Sequence, residues 1–428
     1  MGPLYTINLR IDNERMKMDF DTLAAIGATT AGGVHRPALS DAHFEAGNWF
    51  RKRAGRIGSD IRISTDAAGN QMATLFCSLE GPPQILIGSH LDSVPDGGRF
   101  DGALGVVAAL EVLETVRESR VRLSQPLTAV NFMDEEGAYI GLMGSRALAG
   151  TLPKGELDHM TGHSDAFNRG LRKAGLDCDT IFSAQSEPGA IAGYLELHIE
   201  QGLRLKNAGA QIGVVTGIVG IRCFRITFKG RADHAGTTPM DARQDAGLGA
   251  SSFSLAARNL IMREFPASVA TVGNMMYLPG ASNVIPKSVS VSLEFRADPM
   301  EALDAMESAL TSIAREHAAR FDLSVTLEAL ERVSPVPTDE TIKQMIAQSA
   351  QALALASIRM PSGAGHDAQA MAAVCPVGMI FVPSEQGASH CGREHTRWED
   401  CVNGANVLLH SVLGLTAESY LNTKNQGS

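Results

Sequence analysis

Residues 84 to 136 constrain this chain most. Two short apolar runs, QILIGS leading into His90 and LTAVNFM leading into Asp134-Glu135-Glu136, bracket a longer apolar segment, Leu104 to Val116. Short runs of this kind read as strands covered on both faces, and the segment between them has the length of a buried helix. Strand, helix, strand is the unit from which parallel and mixed sheets are built. In such sheets ligands gather beyond the carboxyl ends of the strands, where both polar clusters fall. An α/β protein with its chemistry at one edge of a mixed sheet is therefore expected.

The flanking segments extend this layer. Ser40 and Asp41 are N-cap types ahead of AHFEAGNWFRKRAG, whose apolar residues recur at helical spacing. IRIST and MATLFCSL read as two strands around the turn residues DAAGN. Near residue 220 the texture changes. Strand FRITFKG, helix Asp241 to Arg263, strands SVATVGNMMY and SVSVSLEFRA, helix Met300 to Arg320 and strand LSVTLEAL follow in order. This βαββαβ succession, with two helices covering one face of an antiparallel sheet, reads as a self-contained α+β domain at 221–337. TIKQMIAQSAQALAL then returns to helix and VGMIFVPS to strand. Residues 1–220 and 338–428 are thus expected to form one discontinuous domain around the insertion.

Charge and cysteine usage narrow the function. With 37 Lys and Arg against 47 Asp and Glu the net charge is −10, which disfavours a nucleic-acid partner, since phosphate binding needs a basic face. No apolar run reaches the length of a membrane span, and the start MGPLYTINLR lacks the pattern of an export signal. Six cysteines stand singly without a CxxC pair, which suits a reducing cytoplasm.

The chemistry concentrates in five places. GSHLDSVPDGGRFDGALG carries His90, Asp92 and Asp101 among glycines that admit close backbone approach. Residues two apart on a strand face one side, so Asp92 is expected to reach the His90 imidazole and fix its tautomer. Asp134-Glu135-Glu136 brings three acids to the end of a buried strand, a costly arrangement without cations. LELHIEQG supplies His198 and Gln201. SGAGHDAQAMAA and EQGASHCGREHT supply His366 and His390, both expected to face a cleft. Together His90, Asp101, Glu136, His198 and His390 make a coherent ligand set for two divalent ions, with Asp101 able to bridge them. All-N/O ligands favour zinc, manganese, cobalt or nickel. Glu135 is left over, and can take a proton from a water activated by the ions and return it to a leaving nitrogen.

The ordered pieces GSHLDSVPDGGRFDGALGV, DEEG, LHIEQG, RADHAGTTPM, GASNVIP, EFRAD, PSGAGHDA and GMIFVPS span nearly the whole chain. They resemble the M20 metallohydrolases, in the branch of N-carbamoyl-L-amino-acid hydrolases, allantoate amidohydrolases and β-ureidopropionases. The resemblance implies a dinuclear catalytic domain, a smaller lid and dimerisation domain, and homodimers. It implies metal ligands at His90, bridging Asp101, Glu136, His198 and His390, with Glu135 as general acid/base and Asp92 supporting His90. Substrate-binding positions fall on Gln201, His234, Asn283, Arg296 and the backbone at Gly365. The implied reaction is hydrolysis of the ureido amide of an N-carbamoyl-L-amino acid to amino acid, ammonia and carbon dioxide. Alternatives within the family are allantoate, β-ureidopropionate or an N-acyl amino acid as substrate. A catalytically dead binding protein is the non-enzyme alternative, and it would have no use for Glu135. Two stretches depart from the family pattern: GAYIGLM after Glu136 is short, and Cys391-Gly392 follows His390 where Asn or Ser and then Pro are usual.

Overall fold

The computed structural model describes residues 8–77 and 81–416, which leaves Ser78 and Leu79 of the expected strand MATLFCSL outside the described residues. The chain divides into two compact units. One holds Gly217–Pro337 with Pro361–Gly365, and the other holds the residues up to Thr216, Thr338–Met360 and those from His366 onward. In chain order the strands are β1 (Ile61–Thr65), β2 (Gln71–Leu75), β3 (Gln84–His90), β4 (Leu127–Phe132), β5 (Ile191–Ile199), β6 (Ile212–Ile218), β7 (Gly220–Lys229), β8 (Val269–Leu278), β9 (Ser288–Ala297), β10 (Ser324–Val333), β11 (Val336–Pro337), β12 (Ser357–Ser362) and β13 (Val377–Val382).

The larger unit is built on a mixed sheet in the order β1-β2-β4-β3-β5-β13-β6. Its centre is parallel: β4 with β3, β3 with β5 and β5 with β13. Every residue of β4 and of β13 is buried, which is why LTAVNF and VGMIFV are continuous apolar runs rather than alternating ones. The helix Ala103–Glu118 connects β3 to β4 and is buried on almost every side. It shares one core with the helices Asn13–Ala24, Asp41–Ile57, Glu340–Ala352 and Trp398–Leu415 through Phe20, Phe50, Leu110, Ile346 and Leu408. A separate apolar cluster of Met133, Ile140, Met143, Phe167 and Leu171 binds the short helices that follow β4. The helix at 41–57 begins as its cap residues foretell, with the Ser40 side chain accepting from the His43 N–H.

Register decides where the functional side chains emerge. His90 lies opposite Phe132, His198 opposite Phe381 and Ile199 opposite Val382, so the carboxyl ends of β4, β3, β5 and β13 are aligned. Asp134–Glu136, His90–Asp92, His198–Gln201 and the loop after β13 therefore leave the sheet at the same edge.

The smaller unit is an antiparallel sheet in the order β10-β7-β9-β8, in the βαββαβ succession. The helices Ala246–Glu264 and Met300–Arg320 pack on it through Phe228, Phe253, Leu293, Phe295 and Leu310. Strand β9 alternates, burying Val289, Val291, Leu293, Phe295 and Ala297. The first helix starts later than expected from Asp241. Residues Met240–Ala242 make a short 3₁₀ turn, and the helix opens at Ala246 once Asp245 caps it by accepting from the Gly247 N–H at 2.8 Å. Among the described residues no helix is long and apolar enough to cross a membrane. Replacing Asp245 by Ala removes this cap and should cost about 1 kcal/mol. That loss should be read as a lower urea midpoint at unchanged slope; an unshifted midpoint would deny the cap a role.

Candidate metal centre

Asp101 sits at the middle of the aligned strand ends. Its Oδ1 is 3.1 Å from His198 Nε2 and 3.6 Å from His90 Nε2, while Oδ2 is 3.3 Å from His390 Nε2. His390 Nε2 is in turn 3.5 Å from Glu136 Oε2. Of three sets of converging ligand atoms among the described residues, two contain Asp101, His90-Asp101-His198 and Asp101-Glu136-His390, while the third, Glu196-His198-His366, shares His198. Within each set the atoms lie within 4.8 Å of one another, close enough to converge on one cation. Glu135 belongs to none of them, and its Oε2 stands 3.5 Å from His90 Nε2.

The tautomers suit metal binding. His198 Nδ1 donates to the Ile199 carbonyl at 2.9 Å, and its Nε2 accepts from the Gly102 N–H at 3.2 Å, so Nε2 carries the lone pair. His90 Nδ1 donates to the Asp92 carbonyl at 3.1 Å, leaving its Nε2 lone pair toward Asp101 and Glu135. Here the structure corrects the expectation for Asp92. Its backbone oxygen, not its carboxylate, fixes the His90 ring; the nearer carboxylate oxygen is 3.7 Å from Nδ1. The carboxylate instead accepts from the Glu135 and Glu136 N–H groups at 3.3 and 3.1 Å. Two backbone donors satisfy a buried carboxylate without a second charge, and they set the turn that presents both glutamates.

Backbone conformation makes the turns sharp enough. Asp134, Gln201 and His390 all adopt positive φ, at 53°, 58° and 57°, an uncommon region for side chains and one that recurs at functional sites. Gly102, at φ 62°, is needed for a further reason: a Cβ there would stand 2.4 Å from His90 Cε1.

Other residues expected at the site are placed differently from one another. Gln201 Nε2 donates to Asp101 Oδ2 at 2.7 Å and to Ser389 Oγ at 3.1 Å, so it braces the shared carboxylate. His366 is not exposed to a cleft as expected but 2% exposed, its ring edge-on to His198 at 4.5 Å. A helix starting at Asp367 draws it into the core. His234, Asn283, Arg296 and Gly365 belong to the smaller unit. There the Ala235 N–H donates to the Asn283 carbonyl at 3.1 Å, joining the His234 and Asn283 loops. His234 Nδ1 accepts from the Gly236 N–H at 3.0 Å, which leaves the proton on Nε2. Arg296 donates to Glu294 at 2.8 Å and to the Gly363 carbonyl at 2.9 Å, close in sequence to Gly365. Sequence reasoning missed Ser389 and Glu394 as supports. Glu394 Oε1 accepts from the Phe100 and Asp101 N–H groups, and Ser389 Oγ lies 2.9 Å from Asp101 Oδ2 and 2.8 Å from Glu394 Oε2. Only the proximity of Ser389 and Glu394 to His390 in sequence could have pointed to them.

The electrostatics test whether these residues fit a cation. Burial, opposed by His90 and reinforced by the Asp367, Glu136 and Asp101 carboxylates, pushes Glu135 well above the ordinary carboxylate range. Burial and Asp101 push Glu136 up to about 7. Although burial acts the other way, the three imidazoles around Asp101 hold it well below its usual range. His390, bonded to Asp101, is raised to about 9. Carboxylates crowded this closely retain protons unless cations replace them, so the donor set fits divalent metal. The sign of the pH effect follows. Glu136 in the folded chain titrates near 7 rather than 4.5, and His390 near 9 rather than 6.5. Both folded values lie above the unfolded ones, so their stabilisation is present at low pH and fades as pH rises through 7 and 9. The melting temperature of chelated protein should therefore fall between pH 6.5 and 9, and divalent metal should restore it. A chelated protein whose melting temperature held or rose across that window would contradict this electrostatic picture.

The chain is similar to several known proteins. The model of Peptidase family M20/M25/M40 matches residues 86–413. The N-carbamoyl-L-amino acid amidohydrolase of Geobacillus stearothermophilus is 37% identical over 94% of this chain and 98% of its own length. The ureidoglycolate hydrolase of Arabidopsis thaliana is 30% identical over 96% of this chain and 88% of its own. Among solved structures, an amidase of the hydantoinase/carbamoylase family from Burkholderia multivorans superposes with a TM-score of 0.87 at 32% identity, covering 96% of this chain and 99% of that one. With a family match over residues 86–413 and a relative 37% identical over 94% of its length, the chain belongs to peptidase family M20/M25/M40.

Proposed function

We propose that this chain is a metal-dependent amidohydrolase that cleaves the C–N amide bond of an N-carbamoyl-L-amino acid, giving amino acid, ammonia and carbon dioxide. The observation that carries this reading is the pair of ligand triads sharing Asp101, with Glu135 beside them but outside both. It is supported by relatives named N-carbamoyl-L-amino acid amidohydrolase at 32–37% identity over nearly the full length. Two divalent ions, zinc, manganese, cobalt or nickel, would be held by His90 and His198 on one side, Glu136 and His390 on the other, and Asp101 between. When bound, they supply Lewis acidity to water and to the scissile carbonyl. Ureidoglycolate hydrolase relatives favour a second ureido substrate as the alternative.

The chain's own groups do the rest. Glu135, whose environment keeps its proton affinity high, accepts the proton of the attacking water and delivers it to the leaving nitrogen. Asp92 keeps Glu135 in place through its backbone N–H. Gln201, its nitrogen committed to Asp101 and Ser389, keeps a buried Oε1 with no partner among the described residues, an acceptor for the ureido NH₂. Carried over from the resemblance, Arg296 would offer a planar fork to a substrate carboxylate, and His234, Asn283 and the Gly365 backbone would make further substrate contacts. A substrate would have to displace Glu294 from Arg296.

Two further elements belong to this reading. The edge strand β8 exposes Val269, Met276 and Leu278, and the neighbouring helix exposes Leu255 and Met262, an apolar surface suited to a second copy in a homodimer. Cys178, Cys223, Cys391 and Cys401 form no disulfide, in keeping with the cytoplasm. Neither nucleic acid nor a membrane is a fitting partner for a chain of net charge −10 without a spanning helix among its described residues.

The reading is tested by turnover of carbamoyl-, formyl- and acyl-amino acids and of allantoate with manganese- and zinc-loaded protein. Glu135→Gln should bind metal as wild type does and lose at least about a hundredfold in kcat, the usual scale for a lost general base. Near-normal turnover would remove Glu135 from the reaction. Arg296→Lys keeps the charge but not the two-point contact, so kcat/KM for a carbamoyl amino acid should drop by about a hundredfold, and further in Arg296→Ala. Equal kcat/KM in wild type and Arg296→Ala would leave the carboxylate clamp without support.

A further inference from the structure

We propose that the helix Lys154–His163 carries a peripheral site for one divalent transition-metal ion, zinc, copper or nickel, chelated by His159 and His163 and separate from the centre around Asp101. Of the chain's 12 histidines these two are the single pair four residues apart. About one helical turn separates them, so both leave the same face of the helix. By this spacing two imidazoles of one helix grip a single zinc ion in helical zinc motifs. Neither residue belongs to a ligand set of the centre.

The side chains already stand together. Their ring centroids are 4.3 Å apart with the planes inclined by 28°, and both residues are exposed. Stacked rings this close need only side-chain rotation to aim one nitrogen each at a common ion. Exposure leaves room for that rotation and for the waters that complete the coordination shell. His163 Nδ1 donates to the His159 carbonyl at 2.8 Å. The proton is thereby held on Nδ1 and the lone pair on Nε2, the same device that orients His90 and His198 in the centre.

The surrounding charge favours a cation. His163 is the last residue of its helix, and the carbonyls at a helix C-terminus carry a partial negative charge. Asp158, exposed directly before His159, adds a carboxylate. Burial, together with Asp177, Asp179 and Asp158, pushes the Cys178 thiol up, so these three acids share this part of the surface. Imidazole donors select zinc, copper and nickel over magnesium and calcium. An ion bridging positions 159 and 163 also closes the last turn of a helix whose Leu157 packs with Met143 and Phe167, so its binding stabilises the folded chain.

Equilibrium dialysis of protein without a histidine tag, against zinc in about tenfold excess at about pH 8, where imidazoles are neutral, tests the site. Wild type should hold one ion per chain more than His159→Ala and one more than His163→Ala, both exposed helix positions changed to the best helix former. That difference does not depend on how many ions the centre holds, so the two metal readings fail separately. With magnesium in place of zinc the three proteins should bind equally. Equal zinc counts in wild type and both variants would overturn the proposal. Loss of the ion in only one variant would overturn it too, since a chelate needs both rings, as would a difference equally large with magnesium, which marks carboxylate rather than imidazole binding.

Discussion

The structure depends on the neutralisation of one buried carboxylate. Asp101 collects three imidazoles, the Gln201 amide and the Ser389 hydroxyl, while Glu135 and Glu136 crowd the same space. Such a concentration of acids in a low-dielectric interior is tolerable only if cations stand among them. The surrounding fold serves that need. Four aligned strand ends bring residues from four parts of the chain to one edge, and hydrogen bonds from backbone groups to Asp92 and Glu394 hold the turns without adding charge.

The same arrangement separates support from chemistry. His90 and His198 have one nitrogen tied to a backbone carbonyl, so the other is offered inward. Glu136 and His390 stand together on the opposite side of Asp101. Glu135 belongs to neither of the triads that share Asp101, and its raised proton affinity suits a group that must take up and release a proton within one turnover.

Much of this was legible in the sequence, for identifiable reasons. Strands buried on both faces must be continuously apolar, so β3, β4 and β13 announced themselves, and polar residues at their ends could only be functional or expensive. Alternation in β9 and helical spacing between Met300 and Arg320 exposed the smaller unit equally well. The supports were less visible. Ser389 and Glu394 act on Phe100 and Asp101 from nearly three hundred residues away, and a polar residue in a glycine-rich loop does not disclose its partner. Asp92 was placed near His90 by strand periodicity, but the strand ends at His90, and beyond it the side chain turns to the backbone of another loop. His366 looked exposed because its neighbours are small; those same small residues let it pack against His198. Asp241 and Asp245 are both plausible caps by type, and geometry chose the second.

The role of Asp101 as the common ligand is open to a direct count. Metal analysis after dialysis should find two ions per chain in wild type and one in His390→Ala, which leaves the His90-Asp101-His198 set whole. Asp101→Ala removes a member of both sets, so it should retain neither ion while circular dichroism remains that of the folded protein. A folded Asp101→Ala chain that still held two ions would contradict the shared-carboxylate centre.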